Sequence, residues 1–216
     1  MRDPARSLWS PFPLRGAIEG FYGAFYTFPQ RNDLIRFLGR NDFNFYLYGP
    51  KNDRQHRARW WDPYPPGIMA EFTETIWIAR EAGIRFCYAI SFGTPMNYEA
   101  IDEFAIVTAK LQGFYDRGCR AFCLLLDDIG YGFGTEANAQ RFSSVGEAHA
   151  TITNRIVEWA QGLGEQVDIY LCPTDYHGSP PFGEYLHTLG RVLRPEVGVF
   201  YTGPSICSPA LTANDA

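Results

Sequence analysis

Three features of this sequence predict an α/β fold of the (β/α)8-barrel type, cut short after about six βα units. First, six short apolar runs alternate strictly with longer segments of helical spacing between Arg15 and Pro204. Such alternation builds a parallel sheet covered by helices. Second, the fourth run, Ala121-Phe122-Cys123-Leu124-Leu125-Leu126, ends in the adjacent acids Asp127 and Asp128. Charge is costly inside a doubly buried strand, so the pair belongs at its carboxyl end, where barrel chemistry takes place. Third, neither a Gly-x-Gly-x-x-Gly fingerprint nor a P-loop occurs, so the usual marks of a nucleotide-binding open sheet are missing.

The elements follow in order. Arg15-Gly16-Ala17-Ile18-Glu19 reads as the first strand, and it runs into the turn Gly20-Phe21-Tyr22-Gly23. Glycines there let backbone approach a ligand, or simply serve a tight turn. Residues 28–38 have helical spacing, with Leu34, Ile35, Phe37 and Leu38 apolar. The β-rich run 43–48 stops at Gly49-Pro50, which puts Lys51 at a strand's carboxyl end. Residues 54–66, with Trp60, Trp61, Pro63, Pro65 and Pro66, read as a loop, and 68–81 as the second helix. Residues 84–91 form the third strand and 98–117 a helix stopped by Gly118. After the aspartates, 137–163 reads as mostly helix. The fifth strand, 167–172, breaks at Pro173. A short helix over 183–193 and a sixth strand over 197–204 complete the pattern.

Composition narrows the function. The chain has 216 residues, 46% hydrophobic and 20% charged, as in an ordinary globular protein with one core. Its net charge of −5 and lack of a Lys/Arg cluster argue against a nucleic-acid partner. No signal-peptide run and no stretch of membrane-spanning length is visible, so a cytoplasmic protein without membrane contact is expected. Five cysteines without Cys-x-x-Cys point to free thiols in a reducing compartment rather than a zinc clamp. Aromatics at 16% suit the walls of a sugar pocket, but also plain core. His56, His149 and His187 are expected on the surface or on helices, and His177 in a loop.

Taken alone, Asp127 and Asp128 admit three readings. They can cap a helix or open a turn. They can hold a hard cation, with His177 nearby. Or they can work on a substrate. Four motifs favour the last: Glu19-Gly20-Phe21-Tyr22-Gly23, Tyr48-Gly49-Pro50-Lys51-Asn52-Asp53, Leu126-Asp127-Asp128-Ile129 and Cys172-Pro173-Thr174-Asp175-Tyr176. In this order, at these strand ends, they resemble the catalytic domain of glycoside hydrolase family 84. That family holds the O-GlcNAcases and related β-N-acetylglucosaminidases, some described as hyaluronidases. The resemblance covers residues 14–204, with 1–13 as a lead-in and 205–216 as a tail.

The resemblance implies retaining hydrolysis assisted by the substrate's own 2-acetamido group, one of the exceptions to the two-carboxylate scheme. It needs no cofactor and no metal. By motif, Asp127 would polarise the acetamido N–H, and Asp128 would act as general acid and then general base. Gly20 would offer its carbonyl and Lys51 its ammonium to sugar hydroxyls. Tyr176 would place the acetamido group, and Tyr48 and Cys172 would border the pocket. Mutual repulsion of the acids is expected to raise the pKa of Asp128, with Lys51, if close, opposing the rise and aromatic desolvation compensating. The implied partner is a glycan or glycoprotein bearing N-acetylglucosamine. The resemblance also implies sugar-gripping residues after strand six, in a Trp-Asp-Asn-like motif. Asn214-Asp215 lacks that tryptophan, so a fragment is expected. The competing reading is a non-catalytic remnant that binds N-acetylglucosamine or a protein partner.

Overall fold

The computed structural model describes residue 10, residues 12–93 and residues 95–212. Asn214 and Asp215 lie outside the described residues. Twelve elements follow one another: β1 (Gly16–Glu19), α1 (Phe28–Arg40), β2 (Phe45–Tyr48), α2 (Pro66–Glu81), β3 (Arg85–Ile90), α3 (Ile101–Tyr115), β4 (Ala121–Leu125), α4 (Glu136–Arg141), α5 (Val145–Gln161), β5 (Asp168–Cys172), α6 (Glu184–Val192) and β6 (Gly198–Val199). The sheet order is β1-β2-β3-β4-β5-β6, and every neighbouring pair is parallel. This is a run of six parallel strands joined by helical crossovers, the barrel-type pattern that the alternation predicts. Among the described residues no helix is long and apolar enough to cross a membrane.

Two differences from the sequence pattern have local causes. The helix expected over 137–163 is two helices, α4 and α5. Ser144 adopts an extended conformation and accepts from Glu147 N, which starts α5 afresh. Glu147 reaches back to the Ser143 amide at 2.8 Å. β6 is only two residues long. Beyond it the chain still bonds to its neighbour, Phe200 N to Leu171 O at 2.9 Å and Thr202 N to Tyr176 O at 2.8 Å.

Alternation along the strands sorts the core into two layers. Phe45, Leu47, Cys87, Ala89, Ala121, Cys123 and Leu125 pack on the concave face, with Tyr170, Cys172 and Phe200 against them. The other parity, including Tyr46, Tyr48, Phe86, Tyr88, Phe122 and Leu124, packs under the helices. The described cysteines are free thiols. His56 is wholly buried in the loop after β2, where a surface or helix position was expected, and His149 lies on a helix as expected, wholly buried on α5. Each has a partner that sequence spacing does not announce: Ala89 O at 2.8 Å from His56 Nδ1, and the Tyr185 hydroxyl at 2.9 Å from His149 Nδ1.

A buried ion pair ties β1 to α1. Glu19 projects to the helix side, where Arg31 donates to both its oxygens, Nε to Oε2 at 2.7 Å and Nη2 to Oε1 at 3.0 Å. The Tyr46 hydroxyl donates to Oε2 at 2.5 Å and the Tyr26 amide to Oε1 at 3.0 Å. The Arg31 guanidinium sits between the Phe28 and Tyr48 rings, 4.8 and 4.6 Å from their centres. Removing one member strands a buried charge. Arg31→Met is therefore expected to cost about 3–5 kcal/mol of unfolding free energy, read from the urea midpoint. A loss within the about 0–1 kcal/mol typical of surface pairs would show that the pair is not held in solution.

Candidate active site

The concave parity continues past the strand ends and delivers the site. Lys51 shares the parity of Phe45 and Leu47. The chain keeps its course because Gly49 N bonds Glu19 O and Lys51 N bonds Phe21 O, each at 3.1 Å. Asp127 shares the parity of Cys123 and Leu125. Its approach is fixed by Leu126 N donating to Cys172 O at 2.9 Å and Thr174 Oγ1 donating to Leu126 O at 2.8 Å. The three charged groups then meet at the mouth of the sheet.

Lys51 Nζ lies 2.7 Å from Asp127 Oδ2 and 3.1 Å from Asp128 Oδ2. Its ammonium takes the place between the two acids that a bound cation would otherwise fill. Among the described residues no group of three or more metal-ligating side chains comes together. The other Asp127 oxygen, Oδ1, is buried with no partner among the described residues. An acceptor left like this costs stability unless something donates to it. Asp128 is more open, its side chain 30% exposed against 16% for Asp127. Its Oδ2 also accepts from the Tyr22 hydroxyl at 2.7 Å.

The electrostatics correct one expectation. Burial opposes ionisation of Asp128, but the Tyr22 hydrogen bond and the charges of Lys51 and Arg57 outweigh it, and the carboxyl sits below its ordinary pKa. The repulsion expected to raise it is outweighed by the Tyr22 hydrogen bond and by the lysine that stands between the two acids. Burial likewise works against the Lys51 charge, yet Asp127 and Asp128 raise its pKa overall.

The remaining expected residues divide. The Cys172 thiol is pushed up to about 12 by burial and by the Asp127 charge, which sets it beside the acids. The Tyr176 phenol is raised by burial and then by Asp127 and Asp128, so it lies within electrostatic reach of both acids. Gly20 follows β1 between Glu19 and Phe21, whose carbonyls accept from Gly49 N and Lys51 N. Tyr48 does not border this mouth. It lies on the helix side of β2, only 2% exposed, with its hydroxyl donating to Asp53 Oδ2 at 2.6 Å. An odd separation from Lys51 puts the two on opposite faces, a consequence of strand parity. Trp60 packs in the core, 3% exposed, with Trp61 edge-on to it.

Two groups at the site carried no role in the sequence reading. Tyr22 belongs to the Gly20–Gly23 turn and bonds Asp128. Arg57 donates from Nη2 to the Asp128 backbone carbonyl at 3.1 Å. Tyr22 stood inside a quoted motif, but nothing in the spacing of the loop over residues 54–66 singles out Arg57.

A parallel βα sheet with paired carboxylates at its carboxyl mouth and a buried lysine bridging them has the layout of a barrel-type glycoside hydrolase domain. The chain belongs to the beta-N-acetylglucosaminidase (NAGidase) family, whose sequence profile matches residues 15–216. It is similar to Protein O-GlcNAcase of Rattus norvegicus and of Mus musculus, 38% identical over 200 residues in each case. That alignment covers 90% of this chain and 21% of each relative, so the chain spans about a fifth of their length. Among solved structures it resembles a mutant of the O-GlcNAc hydrolase of Thermobaculum terrenum. The TM-score is 0.91 at 33% identity, covering 94% of this chain and 44% of the other.

Proposed function

We propose that residues 14–204 form a catalytic unit that removes terminal β-linked N-acetylglucosamine with retention of configuration, using the sugar's 2-acetamido oxygen as nucleophile. The observation that carries this reading is the unpartnered, buried Asp127 Oδ1 beside an Asp128 carboxyl open to the mouth. One acid is placed to accept a hydrogen bond from something absent, and the other to exchange a proton with it.

In the first step Asp127 accepts from the acetamido N–H, which turns the acetamido oxygen toward the anomeric carbon and makes it more nucleophilic. The C–O bond to the aglycone breaks as the oxazoline C–O bond forms. Asp128 gives its proton to the departing oxygen. In the second step Asp128 takes a proton from water, whose oxygen attacks the anomeric carbon and opens the oxazoline. The acetamido group is restored and Asp128 is protonated again.

Asp128 must enter this cycle protonated, although the free site favours its ionised form. Substrate resolves the conflict. A sugar hydroxyl that accepts from Lys51 draws the ammonium away, and this releases the carboxyl toward a higher pKa. The basic limb of kcat, which reports the bound state, therefore lies at higher pH than that of kcat/KM, which reports the free enzyme. The relatives named O-GlcNAcase support a glycoprotein bearing N-acetylglucosamine as the substrate class.

The test is hydrolysis of 4-methylumbelliferyl β-N-acetylglucosaminide by this chain, alongside a thermal-shift assay with a thiazoline that mimics the oxazoline. Hydrolysis with the two limbs separated as stated supports the reading. A chain that neither hydrolyses the substrate nor gains heat stability from the thiazoline overturns it.

A further inference from the structure

A second cation reaches the mouth from the loop after β2. The Arg57 guanidinium grips the Asp128 carbonyl and lies 5.6 Å from the centre of the Tyr22 ring. The Tyr22 hydroxyl in turn holds Asp128 Oδ2 at 2.7 Å. One arginine thus meets the main chain of the acid directly and its carboxyl through a tyrosine.

The arginine is itself held from below. His56, wholly buried, bonds Ala89 O through Nδ1 at 2.8 Å, and its own carbonyl accepts from Ser91 N at 3.0 Å. Burial lowers the His56 pKa to about 4, so at neutral pH it is an uncharged donor to that carbonyl. The Arg57 stem crosses Gly93 closely. A Cβ built on Gly93 would stand 2.5 Å from Arg57 Cγ and 3.2 Å from Nε. Only a residue without a side chain leaves that path clear. The loop and the end of β3 therefore form a seat for this one side chain.

Resting on the glycosidase reading above, we propose that Arg57 is a positioning residue, which aims the Asp128 carboxyl at the leaving oxygen by fixing the Asp128 carbonyl and backing the Tyr22 ring. A carbonyl held at one point sets the direction of the neighbouring side chain, and misplacement by about 1 Å can cost on the order of 100-fold in rate. The guanidinium also adds positive charge. The groups facing Asp128 are Tyr22 after β1, Lys51 and Arg57 after β2, Asp127 beside it, and Cys172 and Tyr176 from β5 and its loop. Lys51 and Arg57 are the cations in that set, and both lower the Asp128 pKa.

The test compares wild type with Arg57→Gln, Arg57→Lys and Gly93→Ala, each checked for folding by circular dichroism. The Asp128 carboxyl carbon is titrated by NMR, and kcat and KM are measured on the aryl β-N-acetylglucosaminide. Arg57→Gln is expected to move the titration to higher pH and to lower kcat by about 10–100-fold, with KM little changed. Arg57→Lys keeps the charge, so the titration stays near wild type while kcat falls. Gly93→Ala pushes the stem aside and should lower kcat in the same way. A merely structural role would not split charge from geometry between these variants. If the Arg57→Gln titration coincides with wild type, or if kcat is unchanged in all three variants, the proposal is overturned. A wild-type chain that shows the expected titrations without hydrolysis supports the Arg57 grip and counts against the glycosidase reading instead.

Discussion

Asp128→Asn is expected to lower kcat by about 10²–10⁴-fold on an N-acetylglucosaminide with a poor leaving group, and far less on an activated aryl glycoside. Asparagine keeps the size of the side chain and can still meet Tyr22 and Lys51, but it carries no transferable proton. The loss should therefore grow with the pKa of the departing alcohol. Asp127→Asn should behave differently. It removes the negative charge that polarises the acetamido N–H and leaves only a neutral amide oxygen to accept from it, so formation of the oxazoline slows for good and poor leaving groups alike. The measurement is kcat/KM for each variant across a series of substituted aryl substrates. A steep dependence on leaving-group pKa for Asp128→Asn and a shallow one for Asp127→Asn separates the roles. The reverse pattern would exchange them, and equal slopes would remove general acid catalysis from Asp128.

The place of these acids, though not their separate roles, was readable because strands alternate. An apolar run ending in two acids, and a second run ending in a lysine of the same parity as its inward residues, put three charges at one mouth without knowledge of any contact. Alternation also held the information about Tyr48, since an odd offset from Lys51 sends it to the helix side, where it bonds Asp53. Other features depend on distant partners. Nothing local to His56 says that Ala89 O will be its acceptor, and nothing local to Arg57 says that Asp128, 71 positions on, will be its target. The lowered Asp128 pKa is of the same kind. Two adjacent acids repel in the chain, but a tyrosine hydroxyl 106 positions from Asp128 and an ammonium 76 residues away from Asp127 set the balance. The break between α4 and α5 was within local reach: Ser144 with Glu147 three residues later is a capping pattern inside an apparently continuous helix.

Lys51→Met is expected to alter stability and activity together, with a pH dependence that identifies the cause. Methionine retains an apolar stem but leaves Asp127 and Asp128 without the charge between them. A hydrogen bond to a charged group contributes about 1.5–3 kcal/mol, so a loss of about that size is expected at pH 7. The sign follows from each shift. The folded pKa of Asp128 is depressed, so its contribution is present above the ordinary carboxylate range and lost as pH falls through the folded value. The folded pKa of Lys51 is raised, so its contribution is present below the ordinary lysine value and lost only as pH rises through the folded one. The gap between wild type and variant should thus be widest across neutral pH and narrow as pH falls below the ordinary carboxylate range and Asp128 protonates. In the variant the Asp128 carboxyl is freed to titrate at higher pH, and the basic limb of kcat/KM should follow it upward. Turnover should nevertheless fall, because the sugar loses a donor that strengthens as charge develops. Urea denaturation at several pH values and a pH–rate profile measure both. A stability gap independent of pH would mean that Lys51 acts through packing alone, and the bridged acid pair would no longer explain how the mouth is held.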